Sequence, residues 1–214
     1  MNFFTFAKLG RTLVLSAVVA VGLLSVGCGG DDGGDDNPAN NNSKNNNNNN
    51  NNNNGGGSVP IEKWMKKNLD VETDEGSWCY DGDPANCDKY GRLYTWEAAK
   101  AACQLVGMRL PTRAEWNDLV DAIGAASAGK KLKSRSGWDN NGNGTDEYGF
   151  SALPGGYRRS DGGFSGAGGG GWWTATEYDG RNAYYRFMIY DYDGVGEEID
   201  YKVFGYSVRC VKDA

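Results

Sequence analysis

The sequence predicts an α+β head: two helices packed on antiparallel strands, with a long loop region and disulfide staples. Three observations predict it. Two helical apolar stripes, each with a capping residue ahead of it, follow one another between 95 and 124. Alternating segments and turn signals come after them, up to Val211. Four of the five cysteines, an even number, lie at 79, 87, 103 and 210, within and just ahead of that region.

The chain starts in a different manner. Lys8 and Arg11 precede an almost wholly apolar run, Leu13 to Leu24, and small or slim residues lead up to Cys28. This is the order of an export signal, read as a signal peptide over 1–27. The run is short for a membrane-spanning helix, which takes about 20 residues. The small residues around Cys28 resemble the bacterial lipobox, although Leu24 stands four places before the cysteine rather than three. The resemblance implies acyl chains on Cys28, each buried methylene adding about 0.8 kcal/mol of membrane affinity. An uncleaved anchor and a secreted, unlipidated product are the alternatives. Residues 28–58 carry Gly, Asp and a long Asn tract with almost nothing to bury. They are expected to form a disordered tether with a mean span of roughly 30 Å. The early Asp residues resemble acidic signals of surface-exposed outer-membrane lipoproteins.

Residues 59–214 suit one domain. Of the 22 basic and 28 acidic residues, Lys8, Arg11, Lys44, Asp31, Asp32, Asp35 and Asp36 lie before it, so the head holds 19 basic and 24 acidic side chains, net −5. With no basic stripe, nucleic acid is not an expected partner. The chain has no histidine, which excludes His-based catalytic triads and His-bound zinc. Abundant Gly and aromatics indicate a loop-rich domain with an aromatic core.

Residues 59–68 read as an entry strand anchored by Trp64. Residues 76–94 hold a small cysteine loop with turn chemistry at Asp81-Gly82-Asp83-Pro84. Thr95 caps a first helix on which Ala99, Cys103 and Val106 recur beside Ala102, and Gly107 stops it. Thr112 and Glu115 form a capping box for a second helix, whose stripe is Trp116, Leu119, Val120 and Ile123. Lys131-Leu132-Lys133 reads as a short strand and Trp138 to Gly149 as a loop. Gly162 to Gly171 reads as a mobile surface loop, and it lacks the Lys-Ser/Thr ending of a phosphate loop. Ala183 to Tyr190 alternates as a strand, Asp193-Gly194 is a turn, and Asp200 to Val211 supplies closing strands. Three disulfide pairings are open. Cys79–Cys87 with Cys103–Cys210 is favoured, closing one short and one very long loop. Free thiols or a four-thiolate metal site are the alternatives.

Several motifs then come in a recognisable order: Tyr90-Gly91-Arg92-Leu93-Tyr94-Thr95-Trp96, Arg109-Leu110-Pro111-Thr112 with Glu115-Trp116, the run from Gly144 to Gly156, Trp172-Trp173-Thr174-Ala175-Thr176-Glu177, and Ser207-Val208-Arg209-Cys210. Together they resemble the Fibrobacter succinogenes major paralogous domain over nearly all of 60–214. The resemblance implies a C-type-lectin-like fold related to the formylglycine-generating enzyme domain. It implies the Cys103–Cys210 bridge, export and surface display, and no characterised activity.

Candidate ligand groups follow from residue chemistry. Asp139, Asn141, Asn143 and Gly144 match places one, three, five and six of a calcium loop, with Asp146 or Glu147 replacing the missing bidentate glutamate. Plain Asn-Gly turns are the alternative. Asp191, Asp193, Glu197, Glu198 and Asp200 form a second acidic group, read as solvated turns or as a site for a cation or a basic partner. Trp172 and Trp173 are adjacent, so in an extended chain they point to opposite faces. One is expected in the core, and the other is a candidate to join Trp138, Tyr184 or Tyr190 on a sugar-stacking surface, with core packing the favoured alternative. Arg158 and Arg159 are candidates to orient a polar ligand, with plain solvated side chains as the alternative.

The expected function is a surface-anchored lipoprotein with a non-catalytic binding or adhesion module, with carbohydrate as the candidate ligand. The alternative is a structural or partner-binding envelope lipoprotein. Formylglycine-type chemistry needs a reactive thiol pair, which the disulfide reading removes. Glycoside cleavage needs a carboxylate pair whose geometry a sequence does not display.

Overall fold

A computed structural model describes residues 58–213. The segment read as a signal peptide, Cys28, and all but the last residue of the segment read as a tether lie outside the described residues. Two short strands flank the first α-helix, three α-helices then follow one another, and five strands paired in small antiparallel sheets come last. No helix among the described residues is long and apolar enough to cross a membrane.

The entry segment is not a strand. It turns at once, Ile61 O accepting from Trp64 N, and only an isolated bridge joins Trp64 to Val211. The anchoring role of Trp64 stands: it is 3% exposed and meets Trp116 edge-on at 4.7 Å. The cysteine loop holds more structure than turn chemistry suggests. Strands β1 (Ser77–Trp78) and β2 (Leu93–Tyr94) pair around helix α1 (Pro84–Tyr90). Asp83 accepts from Ala85 N and Pro84 sits in the first turn, so the residues that read as a turn are also a helix start.

Helix α2 (Trp96–Leu105) begins at its Thr95 cap and buries Ala99, Ala102 and Cys103. Val106, assigned to that stripe, is instead the exposed C-cap residue. Helix α3 (Arg113–Ile123) has the full capping box, and all four stripe residues are buried. The Glu115 carboxylate also receives Arg109 Nη1 at 2.7 Å, Arg109 Nη2 at 2.8 Å and Lys63 Nζ at 2.7 Å.

Those bonds, from Arg109 first, hold the Glu115 carboxyl well below its usual 4.5 despite partial burial. A depressed folded pKa contributes stability that is complete above about pH 4.5 and is lost as pH falls through the folded value. Glu115→Gln is therefore expected to flatten the loss of unfolding free energy between about pH 4.5 and pH 2 in urea melts. Glu197, lowered by Arg113, leaves a residual slope. An unchanged acid profile in the variant contradicts this assignment.

Lys131-Leu132-Lys133 is not a strand. Helix α4 (Ala128–Leu132) carries backbone bonds from Lys131 N to Ser127 O and from Lys133 N to Gly129 O, and Lys133 makes only a single bridge to Ala152. Three residues of alternation are too few to separate the two periods. The glycine-rich segment is not a surface loop throughout. Short strands β3 (Tyr157–Arg158) and β4 (Phe164–Ser165) pair, and strand β5 (Gly169–Glu177) opens with three buried glycines. Strand β6 (Asn182–Ile189) pairs with β5 and with β7 (Gly196–Tyr201), all antiparallel. After β7 the chain runs back as single bridges rather than a regular closing strand: Tyr206 to Tyr94, Ser207 to Trp172, and Val211 to both Trp64 and Arg109.

Two cores result. One gathers Trp64, Trp116, Trp138, Phe150 and Trp172. The other gathers Tyr94, Trp96, Leu110, Trp173 and Tyr206. Disulfides join Cys79 to Cys87 and Cys103 to Cys210, as the favoured pairing has it.

Candidate functional site

Strands β6 and β7 set the site by alternation. One face of the sheet carries Tyr185 opposite Glu198, Ala183 opposite Asp200, and Phe187 opposite Gly196. The neighbouring strand adds Gly171 opposite Phe187 and Trp173 opposite Tyr185. The two glycines are needed there. A Cβ on Gly171 would stand 2.4 Å from the Tyr206 ring, and one on Gly196 would stand 2.1 Å from the Phe187 ring. Glycine thus lets both rings lie against the backbone of the sheet.

The rings form a continuous series. Tyr185 stacks on Tyr206 at 4.3 Å and 16°, and Tyr206 stacks on Tyr157 at 5.7 Å and 28°. Phe204 lies 6.4 Å from Tyr157 and 6.2 Å from Tyr201, and Phe187 lies 6.2 Å from Tyr185. Tyr206 is buried, with the Trp173 ring edge-on to it at 4.9 Å. Tyr157, Tyr185, Phe187 and Phe204 are half-buried, and Tyr201 is exposed. The Tyr206 hydroxyl donates to Asp200 Oδ2 at 2.7 Å. Burial raises Tyr206 far above its usual 10 and pushes Tyr185 up to about 12. Both hydroxyls therefore stay protonated at neutral pH, and since Tyr206 spends its O–H on Asp200, Tyr185 is the donor on this face. Glu198 is exposed beside them.

The residues singled out in the sequence lie elsewhere. Trp138 is 5% exposed, and its Nε1 donates to Ser134 and to Ala152 O. Trp172 and Trp173 are both fully buried, one in each core, so core packing holds for both and their candidacy for a stacking surface is corrected. β5 is covered on both faces, so alternation sends the two indoles to different cores. These three tryptophans offer no stacking surface. Tyr184 lies under the Arg113 guanidinium at 4.3 Å and meets Tyr178 edge-on. Tyr190 is 37% exposed. Arg158 covers Trp78 at 3.9 Å, and Arg159 pairs with Asp161. Sequence reasoning missed Tyr157, Tyr185, Phe187 and Phe204. The signal available was the alternation of β6, with glycine at the places across from Phe187.

The Asp139–Glu147 loop is fastened to α4. Thr145 N donates to Lys130 O and Glu147 N to Lys131 O. Asn143 uses its side-chain oxygen on Trp138 N, and its carbonyl accepts from the Lys130 ammonium. The Asp146 carboxylate takes both the amide and the hydroxyl of Ser151. Two proposed calcium ligands are thus already engaged, and no group of three or more His, Cys, Asp or Glu side chains among the described residues is placed to hold a metal ion. In the second acidic group, Glu197 pairs with Arg113 and Arg186, while Asp191, Asp193 and Glu198 are exposed. A cleft of about 560 Å³ beside the small disulfide is lined by Asp70, Glu72, Trp78, Asp88 and Arg92. Its arginine is already committed to Asp70 and Glu72.

Comparison with curated proteins and with solved structures finds no match. A family model, the Fibrobacter succinogenes major domain, matches residues 38–212, most of the chain and all of the motifs set out above. Its span takes in the three helices with capped starts, both disulfides and the aromatic sheet face. The chain belongs to the Fibrobacter succinogenes major domain family.

Proposed function

We propose that this chain is a non-catalytic binding module for polysaccharide, of C-type-lectin-like architecture, exported and held at the outer-membrane surface through a lipidated Cys28. The observation that carries the reading is the half-exposed ring series Tyr157, Tyr185, Phe187 and Phe204, with tyrosine hydroxyls and the exposed Glu198 carboxylate alongside. Apolar ring surface packs on the C–H faces of sugars, and hydroxyls and carboxylates pair with sugar hydroxyls. Shallow, open ground of this kind suits a long chain better than a small molecule, which needs a concave pocket. The bridge from α2 to the final segment supports the lectin-like assignment. All four cysteines of the described residues are bridged, so none supplies the reactive thiol pair of formylglycine-type chemistry.

Affinity electrophoresis through gels cast with a soluble cellulose derivative, xylan or pectin tests the reading, each run with calcium and with chelator. The chain is expected to be retarded by at least one polymer, and Tyr157→Ala and Phe187→Ala to lose most of that retardation. No retardation on any polymer favours a protein partner instead. A tagged fatty acid that fails to label the chain in cells, and labels it no better than Cys28→Ala, removes the anchor.

A further inference from the structure

We propose that the outer edge of β7 is a docking strand for an extended, basic segment of another protein. The directions of the backbone groups carry this. The Asn182 carbonyl accepts from Tyr178 N and Asp179 N, and the Tyr184 carbonyl from Thr174 Oγ1, so these residues turn their backbone groups toward β5. Their partners across the ladder, Tyr201 and Ile199, therefore point theirs outward, and so does Glu197. Tyr201 is already closed off, its N–H on Asp200 Oδ1 and its C=O taken by Phe204 N. The N–H and C=O groups of Glu197 and Ile199 have no hydrogen-bond partner among the described residues. They form a short open edge, the template on which an added strand pairs.

The side chains on this edge select the occupant. Ile199 is 39% exposed and Tyr201 54% on one face, while Glu198 and Asp200 stand on the other. A second copy paired antiparallel on the same edge would set these carboxylates opposite one another, which is unfavourable. The segment 28–58 holds four Asp and a single Lys, so it offers no complement either. A strand that alternates Lys or Arg with apolar residues meets Glu198 and Asp200 on one face and Ile199 on the other. The claim does not rest on polysaccharide binding, because the open amides carry it rather than the rings.

The test uses the full chain, exported so that both disulfides form, in detergent micelles. The probes are acetylated Lys-Val-Lys-Val-Lys and Glu-Val-Glu-Val-Glu peptides. The basic peptide is expected to slow hydrogen exchange in 196–201 and to bind at least tenfold more tightly than the acidic one. Ile199→Pro removes one outward N–H and no ladder bond, as edge positions allow. It is expected to weaken the basic peptide at least tenfold. Glu198→Lys reverses the preference between the two peptides, and this holds the test open if the proline variant does not fold. Tyr157→Ala, by contrast, leaves peptide binding unchanged. Equal binding of both peptides, protection elsewhere than 196–201, or self-association of the chain that Ile199→Pro abolishes would overturn the proposal.

Discussion

Replacing Arg209 with methionine is expected to lower the unfolding free energy by about 3 kcal/mol, a large share of the roughly 5–15 kcal/mol that holds a domain together. The guanidinium is fully buried. Its Nε donates to Asn68 Oδ1 at 2.6 Å, Nη1 to Met65 O at 3.0 Å and also to Phe150 O, and Nη2 to Ser151 O at 2.9 Å. No carboxylate bonds to it, and burial pulls its pKa down. Its charge is met by carbonyl dipoles drawn from two separate segments, 65–68 and 150–151. Methionine recovers the cost of burying a cation but leaves three backbone carbonyls without a donor. Each orphaned group costs about 1–3 kcal/mol, and that side of the balance is the larger. Asn68 keeps one donor, Trp172 Nε1 at 2.9 Å. Arg209→Lys is expected to cost at least as much, since an ammonium keeps the charge buried with only three donors and no fork. Urea melts followed by tryptophan fluorescence check both. A methionine variant within about 0.5 kcal/mol of the parent would show that desolvation cancels the whole network.

Local signals survive in this sequence and distant ones do not. The Thr112–Glu115 box and the Trp116 stripe could be read because caps and helical periods lie within a dozen residues of each other. The same holds for Thr95. The three glycines opening β5 could not, because what makes them a strand lies far away: Tyr206 lies over Gly171, and the Leu153 carbonyl lies against Gly170. Trp173 misled for a related reason. Alternation sends it away from Trp172, but the opposite face is also covered, by α2 and by Tyr206. The ring series draws Tyr157 from β3, Tyr185 and Phe187 from β6, and Phe204 and Tyr206 from the segment after β7. No window of the sequence contains it. Trp138 was attractive as a ligand platform because its loop is polar, yet that loop folds back over α4 and closes the indole in.

Removing the Cys103–Cys210 bridge by a double alanine substitution is expected to cost about 5 kcal/mol, against about 2.5 kcal/mol for Cys79–Cys87. The difference follows from the chain. The first bridge spans 107 residues and the second 8, and cross-linking distant residues removes more freedom from the unfolded state. Packing works in the same direction. Cys103 and Cys210 are both fully buried, on α2 and on the closing segment that also carries Arg209, so their loss leaves space inside the second core. Cys79 is only half-buried at the rim of the polar cleft. The aromatic face depends on the long bridge, because Tyr206 lies on the same closing segment, four residues before Cys210. The Cys103/Cys210 variant is therefore expected to lose polysaccharide retardation along with stability, and the Cys79/Cys87 variant to keep most of both. Urea midpoints of the two double variants, at equal slope, decide it. A larger loss from the short bridge would mean that the long loop is already constrained in the unfolded chain, and that the closing segment is held by its backbone bonds to Met65, Leu69 and Tyr94 rather than by sulfur.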